Sequence, residues 1–363
     1  MSEHLRVTTP GRVCLFGEHQ DYLSLPVVPC AISLRIGFEG SRRRDSIVQI
    51  NLPDVGSRES FSLKGRLPYT RERDYFRSCV NVLRRRGFSF STGFDCEVRS
   101  AIPINAGTSS SSALTVTWVN FLARMSDQSR ELSGEEVARL AHEAEVLEFG
   151  EPGGMMDHYS TACGGIIAID FQPTIRVTPL KAGLKTFVLG DSGEPKDTKF
   201  ILARVKDRVL EIQELLAASH PGFSLLRETV QGLDRFSVEL DRQRMALLKG
   251  TVRNHEITKQ ARTLLDEEPL DHRRIGSLLN EHQAVLRDVL GISTPKIDRM
   301  IEEALGSGAY GAKINGSGGG GCMFAYAPEN PETVMGAIER AGGKAYVVSP
   351  DEGTRTEPVR GGE

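Results

Sequence analysis

The chain has 363 residues, of which 39% are hydrophobic and 26% charged, with 45 Lys+Arg against 48 Asp+Glu. That length exceeds one ordinary core and suits two domains, and the composition excludes disorder over most of the chain. A formal net charge of −3 gives no whole-molecule attraction for polyanions, so neither nucleic acid nor a membrane surface is expected as a partner.

To about residue 100 the signals are mainly strands: Leu5 to Val7, Arg12 to Phe16, Val27 to Phe38, Ile47 to Leu52 and the alternating Gly93 to Arg99, interrupted by one helix near Asp74 to Arg86. Two helical stretches follow, Ser110 to Arg124 and Gly134 to Phe149, the second opened by Ser133 with Glu136 three residues on, a capping-box spacing. Strands resume over Gly165 to Phe171 and Thr186 to Leu189. Beyond residue 190, Phe200, Ile201, Val205, Val209, Ile212, Leu215 and Leu216 recur at helical spacing, and further helices run to about Leu305. The end of the chain returns to strand, glycine-rich turn, strand, helix and strand (Gly311 to Ile314, Gly316 to Gly321, Cys322 to Tyr326, Glu332 to Ala341, Ala345 to Val348). The layout predicts an α+β protein with domains over 1–190 and 191–350, and a polar tail, 351–363, that frays. Six cysteines without a C-x-x-C pair, mostly in apolar runs, point to free thiols in a reducing, cytoplasmic setting. The N-terminus lacks an apolar leader, and no run approaches the roughly 18 apolar residues of a membrane span.

Four segments could carry chemistry. Pro103-Ile-Asn-Ala-Gly-Thr-Ser-Ser-Ser-Ser-Ala113 is a small-residue loop running into a helix, so it would present unhindered N–H groups at the positive end of a helix dipole, as a polyphosphate requires. It lacks the Gly-Lys-Ser/Thr of a Walker A loop, and the plainer reading is a serine-rich turn. In Gly11-Arg-Val-Cys-Leu-Phe-Gly-Glu-His-Gln-Asp-Tyr22 a strand ends in adjacent ionisable groups, and carboxylates there could each take two hydroxyls of a sugar. Glu145 shares a helix face with Ala141 and Val137, where an acid wants a partner or a metal, and Pro152-Gly-Gly-Met-Met-Asp157 follows it. Lys313-Ile-Asn-Gly-Ser-Gly-Gly-Gly-Gly-Cys-Met323 packs five glycines into six residues, more than a hairpin needs, which suggests close approach of backbone to a ligand.

Together the segments at 12–22, 103–113 and 313–322 resemble the GHMP kinase superfamily, and galactokinases in particular. Residues 11–22 are similar to the signature G-R-V-N-L-I-G-E-H-T-D-Y, agreeing at nine of twelve positions. Met156-Asp157 resembles a stretch ending G-I-M-D-Q, and Asp74-Tyr-Phe-Arg-Ser-Cys-Val80 resembles N-Y-V-K-G-V. The resemblance implies a two-domain kinase, with an N-terminal domain like ribosomal protein S5 domain 2, a ferredoxin-like C-terminal domain and ATP in the cleft between. It implies Asp157 as the carboxylate that accepts or orients the acceptor proton, and Arg12 as the group that keeps Asp157 ionised and stabilises the phosphoryl charge. Ser111 and Glu145 would hold Mg²⁺, Glu18, His19 and Asp21 the sugar hydroxyls, Gly107, Thr108, Ser109, Ser110, Ser111 and Ser112 the triphosphate, and Tyr75 the adenine side.

The departures are Cys14 for Asn, Gln20 for Thr, Leu23-Ser-Leu-Pro26 for a glycine-rich turn, Thr108 for Leu, Ser112 for Ala, His158 for Gln, and Asp191-Ser-Gly-Glu-Pro-Lys-Asp197 for N-S-N-V-R-H. The expected reaction is phosphorylation of a monosaccharide at its anomeric hydroxyl by ATP, with galactose as the leading acceptor and the enzyme a monomer or homodimer. Arabinose, fucose, a heptose, a uronic acid or mevalonate is the alternative acceptor. Two acids in Glu18-His-Gln-Asp21 disfavour the carboxylate-bearing ones, and a sugar- and ATP-binding sensor without turnover is the alternative class.

Overall fold

The computed structural model describes residues 4–104, 106–195 and 198–359. Met1 to Glu3, Asn105 of the small-residue loop, Lys196 and Asp197, the last four residues of the tail and the side chains of Thr198, Lys199, Phe200 and Leu202 lie outside the described residues. In chain order the strands are β1 (His4–Phe16), β2 (Val28–Arg42), β3 (Ile47–Leu52), β4 (Ser57–Ser62), β5 (Phe94–Ser100), β6 (Ile166–Asp170), β7 (Arg176–Leu180), β8 (Phe187–Asp191), β9 (Gly311–Ile314), β10 (Cys322–Tyr326), β11 (Lys344–Val348) and β12 (Arg355–Pro358). The α-helices are α1 (Tyr75–Arg85), α2 (Ser110–Met125), α3 (Gly134–His142), α4 (Met156–Cys163), α5 (Thr198–Ser219), α6 (Arg242–Leu265), α7 (His272–Asp288), α8 (Pro295–Gly306) and α9 (Pro331–Arg340).

The first sheet has the order β12-β1-β2-β5-β3-β4, with β6 joined to β2 and β7 to β6. Every pairing in it is antiparallel except β3 with β5. Its core face is covered by α1 to α4. There Trp118 stacks on Phe38 and Phe121 (5.1 and 5.5 Å between ring centres) and donates its indole N–H to the Phe76 carbonyl at 3.1 Å. The burial of these rings holds α2 rigidly to the sheet. The second sheet is antiparallel throughout in the order β11-β8-β10-β9, or fourth, first, third, second along the chain, with α8 and α9 packed on it. The α+β, two-domain expectation holds.

Three differences from the sequence reading have physical causes. The reading split β1 at Thr8-Thr9-Pro10-Gly11, which looks like a turn. The strand instead runs through, and the register with β2 shifts between Pro10 and Gly11, so a bulge absorbs the proline that cannot donate to the ladder. The boundary drawn at residue 190 falls within β8, whose partners β10 and β11 both belong to the second sheet. The tail does not fray over its described part: residues 355–358 form β12 against β1, and Asp351 exchanges backbone hydrogen bonds with Ala31 and Gly165 while its carboxylate takes Arg35 at 2.7 Å. Polarity there serves an edge strand, which needs hydrogen bonds more than apolar contacts.

Deleting residues 351–363 should therefore lower the melting temperature by about 3 °C or more, since each kcal/mol lost is worth ~1–2 °C in a chain of this length. Calorimetry on the truncated chain checks this, and an unchanged transition would mean that β12 carries no stability.

Candidate functional site

The chemistry-bearing segments meet in a cleft of about 190 Å³ where the end of β1, the start of α2, the start of α4 and the loop after β9 converge. Arg12, Glu18, His19, Asp21, Tyr75, Gly107, Ser109 to Ser112, Glu145 and Asp157 all line it. Thr108 does not: it is fully buried, its hydroxyl reaches the Pro103 carbonyl at 3.4 Å, and its own carbonyl accepts from the Arg12 N–H at 3.3 Å. A larger depression of about 1150 Å³ lies across β1 to β5 on the first sheet, but it holds none of these residues.

At the centre, Arg12 donates Nε to Asp157 Oδ1 and Nη2 to Oδ2, both at 2.8 Å, and Nη1 to the Gly107 carbonyl at 2.5 Å. Burial alone would raise the Asp157 carboxyl. The guanidinium outweighs it and holds Asp157 below the usual carboxylate range, so it is anionic at neutral pH.

Ser109 opens α2 in the left-handed conformation, φ 61°, rather than the extended one of an ordinary cap, and its hydroxyl makes no cap hydrogen bond. The Ser109 side chain thus leaves the first-turn N–H groups of α2 uncapped, and its buried hydroxyl lies beside the Asp157 carboxylate, which it helps hold low. Gly107 beside it has φ 85°.

Glu145 sits in a single π-helical turn, Glu143–Leu147, where the reading had continuous α-helix. The turn inserts a residue and re-aims the side chain, as such bulges do at functional sites. Oε2 accepts from Thr115 at 3.1 Å and from His158 Nε2 at 2.8 Å. Burial would raise this carboxyl, but His158 and the nearby Ser111 and Ser112 hydroxyls hold it low. Tyr75 packs its ring against Phe149, 5.9 Å between centres, and burial pushes its phenol up.

On the opposite wall the residues differ in what they leave free. Both Glu18 oxygens are taken, one by Lys313 Nζ and the other by the Gly316 N–H. His19 donates Nε2 to the Ser317 carbonyl at 3.1 Å, so in the neutral ring Nδ1 accepts from Tyr22 at 2.6 Å. Among the described residues Asp21 is the cleft carboxylate matched to no cation: Oδ2 accepts from the Met156 N–H at the start of α4 (3.3 Å) and Oδ1 from the Tyr22 N–H. Burial and the neighbouring Asp157 push its carboxyl up to about 6. The glycine run does make close approaches, though to protein: a Cβ on Gly316 would stand 2.8 Å from the Gly107 carbonyl, and one on Gly318 2.6 Å from that of Ile292.

The sequence reading assigned no role to Tyr22, Arg73, Glu151, His158 or Lys313. Arg73 and Glu151 form a two-bonded ion pair on the cleft wall, 3.0 and 2.7 Å. Lys313, a lone cation in an apolar strand, was the one with a visible signal; the others carry no periodicity.

Three comparisons bear on this geometry. The GHMP kinases N terminal domain matches residues 74–165, the GHMP kinases C terminal domain residues 261–344, and the galactokinase galactose-binding signature residues 2–42. The chain is 29% identical to the mevalonate kinase of Pyrococcus furiosus over 97% of its length and 98% of that protein's. It is also 29% identical to the galactokinase of Haemophilus influenzae, over 90% and 86%. Among solved structures, Lactococcus lactis galactokinase complexed with galactose superposes with a TM-score of 0.85 at 21% identity, covering 98% of this chain and 95% of that one. Methanococcus jannaschii mevalonate kinase superposes at 0.74 and 20%, covering 96% and 99%.

Because the fold forces Asp21 to ionise against burial and Asp157, its charge costs stability. The unfolded carboxyl ionises near 3.8 and the folded one near 6, so the cost is absent below pH 4, grows between, and is constant above. Asp21→Asn keeps an oxygen for the Met156 N–H and removes the charge. It should raise the melting temperature at pH 8, with a gain that vanishes toward pH 4. Equal destabilisation at both pH values would make Asp21 only a helix cap.

Proposed function

The chain belongs to the GHMP kinase superfamily and is a phosphotransferase with an alcohol acceptor, and we propose that its acceptor is a neutral monosaccharide, phosphorylated by ATP at the anomeric hydroxyl, with galactose the leading candidate. The observation that carries this reading is the two-bonded Arg12–Asp157 pair set against the uncapped start of α2. The γ-phosphoryl group would lie between them. Asp157 would accept or orient the proton of the attacking hydroxyl, whose oxygen bonds to phosphorus as the bond to the ADP oxygen breaks. Arg12 and the α2 N–H groups would stabilise charge on the transferring oxygens.

The residues fit a nucleotide-bound Mg²⁺: the Glu145 carboxylate is held ionised beside the Ser111 hydroxyl on the first turn of α2, a pair of hard oxygen donors. Two protein donors suit an ion that keeps its waters and shares phosphate oxygens. When bound, it would neutralise phosphate charge.

The acceptor class follows from charge matching. Both arginines lining the cleft already face carboxylates, Arg12 with Asp157 and Arg73 with Glu151, and Glu18 is neutralised by Lys313. What remains is Asp21, a half-buried acceptor of hydrogen bonds that suits hydroxyls and repels a carboxylate. The galactokinase signature over 2–42 supports the same choice. The full-length similarity to mevalonate kinases makes mevalonate the acceptor to test against it.

Purified protein with ATP and Mg²⁺ should release ADP with a monosaccharide from a panel of galactose, glucose, arabinose, fucose, a heptose and glucuronate, and not with mevalonate. Turnover on mevalonate alone would overturn the sugar assignment, and ligand binding without ADP would indicate a sensor. Asp157→Asn should reduce kcat at least about a hundredfold with ATP and sugar affinities nearly unchanged; a near-normal kcat would remove Asp157 from the reaction.

Glu145→Gln should raise the Mg²⁺ concentration for half-maximal activity about tenfold or more, because an amide is a weaker ligand for a hard dication. An unchanged Mg²⁺ titration would leave Glu145 as a partner of His158 only.

A further inference from the structure

Lys313 lies in β9 of the second sheet and is fully buried. All three of its ammonium protons are placed: on Glu18 Oε2, on the Cys14 carbonyl at 2.9 Å and on the Ile314 carbonyl at 2.9 Å. Its ammonium also sits over the Phe324 ring, 5.0 Å from the centre. A lysine this deep is tolerated only because a carboxylate faces it and every donor is used. The partner comes from the turn after β1, almost three hundred residues away in sequence.

The Glu18 carboxylate continues the link, since its second oxygen takes the Gly316 N–H at the start of the glycine run. One residue on, His19 Nε2 donates to the Ser317 carbonyl. The 17–22 turn is thus stitched to residues 313–317 by side-chain contacts from its first half. This turn has its own backbone demands, with Gly17 at φ 96° and His19 at φ 61°, a conformation that a non-glycine residue holds only when its surroundings impose it. The same turn delivers Asp21 to the start of α4.

We infer that Lys313 is a positioning residue for the acceptor: by fixing Glu18 it sets the 17–22 turn, and so the placement of His19 and Asp21 in the cleft, without itself lining that cleft. This rests on the reading of the 17–22 side as the acceptor side. Glu18 then acts through Lys313 and Gly316, holding the wall together, in place of the direct hydroxyl contact that the sequence resemblance implied.

The test separates positioning from stability. Lys313→Met alone strands a buried carboxylate and should lower the melting temperature. Lys313→Met with Glu18→Gln removes both charges at nearly constant volume, and such neutral replacements of buried ion pairs commonly restore or increase stability. In the double variant, with its melting temperature back at the wild-type value, two readouts decide. Amides of residues 17–22 should exchange with deuterium at least about tenfold faster while those of 107–113 are unchanged. The KM for the best sugar of the panel should stay at least about tenfold above wild type, with the KM for ATP within about twofold. Wild-type exchange over 17–22 would overturn the inference, as would a sugar KM that recovers along with stability. If the double variant remains as unstable as Lys313→Met, exchange is read on wild type and double variant well below both transitions, and the same outcomes apply. Should the wild-type enzyme phosphorylate no sugar, the acceptor reading fails on the panel, whereas the exchange arm still decides the role of Lys313.

Discussion

One guanidinium joins the two halves of the cleft. Arg12 places two N–H groups on Asp157 and a third on the Gly107 carbonyl, so a single rigid fork fixes the distance between the candidate proton acceptor and the phosphate loop. A lysine could supply the charge without that geometry. The Gly107 carbonyl also accepts from Asn315 Nδ2 at 2.8 Å, and Asn315 Oδ1 takes the Cys14 N–H at 2.9 Å. Phosphate loop, first strand and the β9–β10 connection therefore share one carbonyl as a fixed point. Desolvating such a pair is expensive, and the cost is offset here because every charge involved has directional partners.

The glycine run shows how packing creates this fixed point. Gly316, Gly318, Gly319, Gly320 and Gly321 all have positive φ, and the approaches at Gly316 and Gly318 leave no room for a Cβ. The run lets backbone from the second domain press against the phosphate loop of the first. It contributes to the site by setting where Gly107 lies, and Gly316 and Ser317 at its start line the cleft themselves.

Legibility in the sequence followed the range of the signal. Local patterns were readable: the capping box at Ser133 and Glu136 forms, and the helices read over 110–124 and 134–149 appear, the second broken by the π turn at Glu145. The motif residues gather in one cleft except Thr108, because each motif lies at the end of an element whose core face orients it. What could not be read was long-range. The strand at 355–358 has no apolar alternation because it is an edge, and β8 looks like any buried strand until its partners are known. Glu18 reads as a sugar ligand when only its neighbours in sequence are considered. Its true partner is Lys313, and pairing across 295 positions leaves no local trace.

Charge matching gives the cleft its chemical character. Three ionic pairs that line or support it join segments distant in sequence: Arg12 with Asp157, Arg73 with Glu151, and Lys313 with Glu18. In each, a cation faces a carboxylate, so no fixed positive charge is left over among these pairs to attract an anionic acceptor. The phosphates have another source of positive potential, the uncapped start of α2, which does not depend on ionised side chains. On the proposed reading the two substrate ends differ in kind: backbone dipoles for the polyanion, and for the acceptor a wall of paired charges around Asp21, whose carboxyl burial and Asp157 push up to about 6. A neutral polyol would gain hydrogen bonds from that wall, whereas a carboxylate-bearing acceptor would meet in Asp21 a charge of its own sign. That asymmetry, rather than any single contact, is what the proposal of a sugar acceptor rests on.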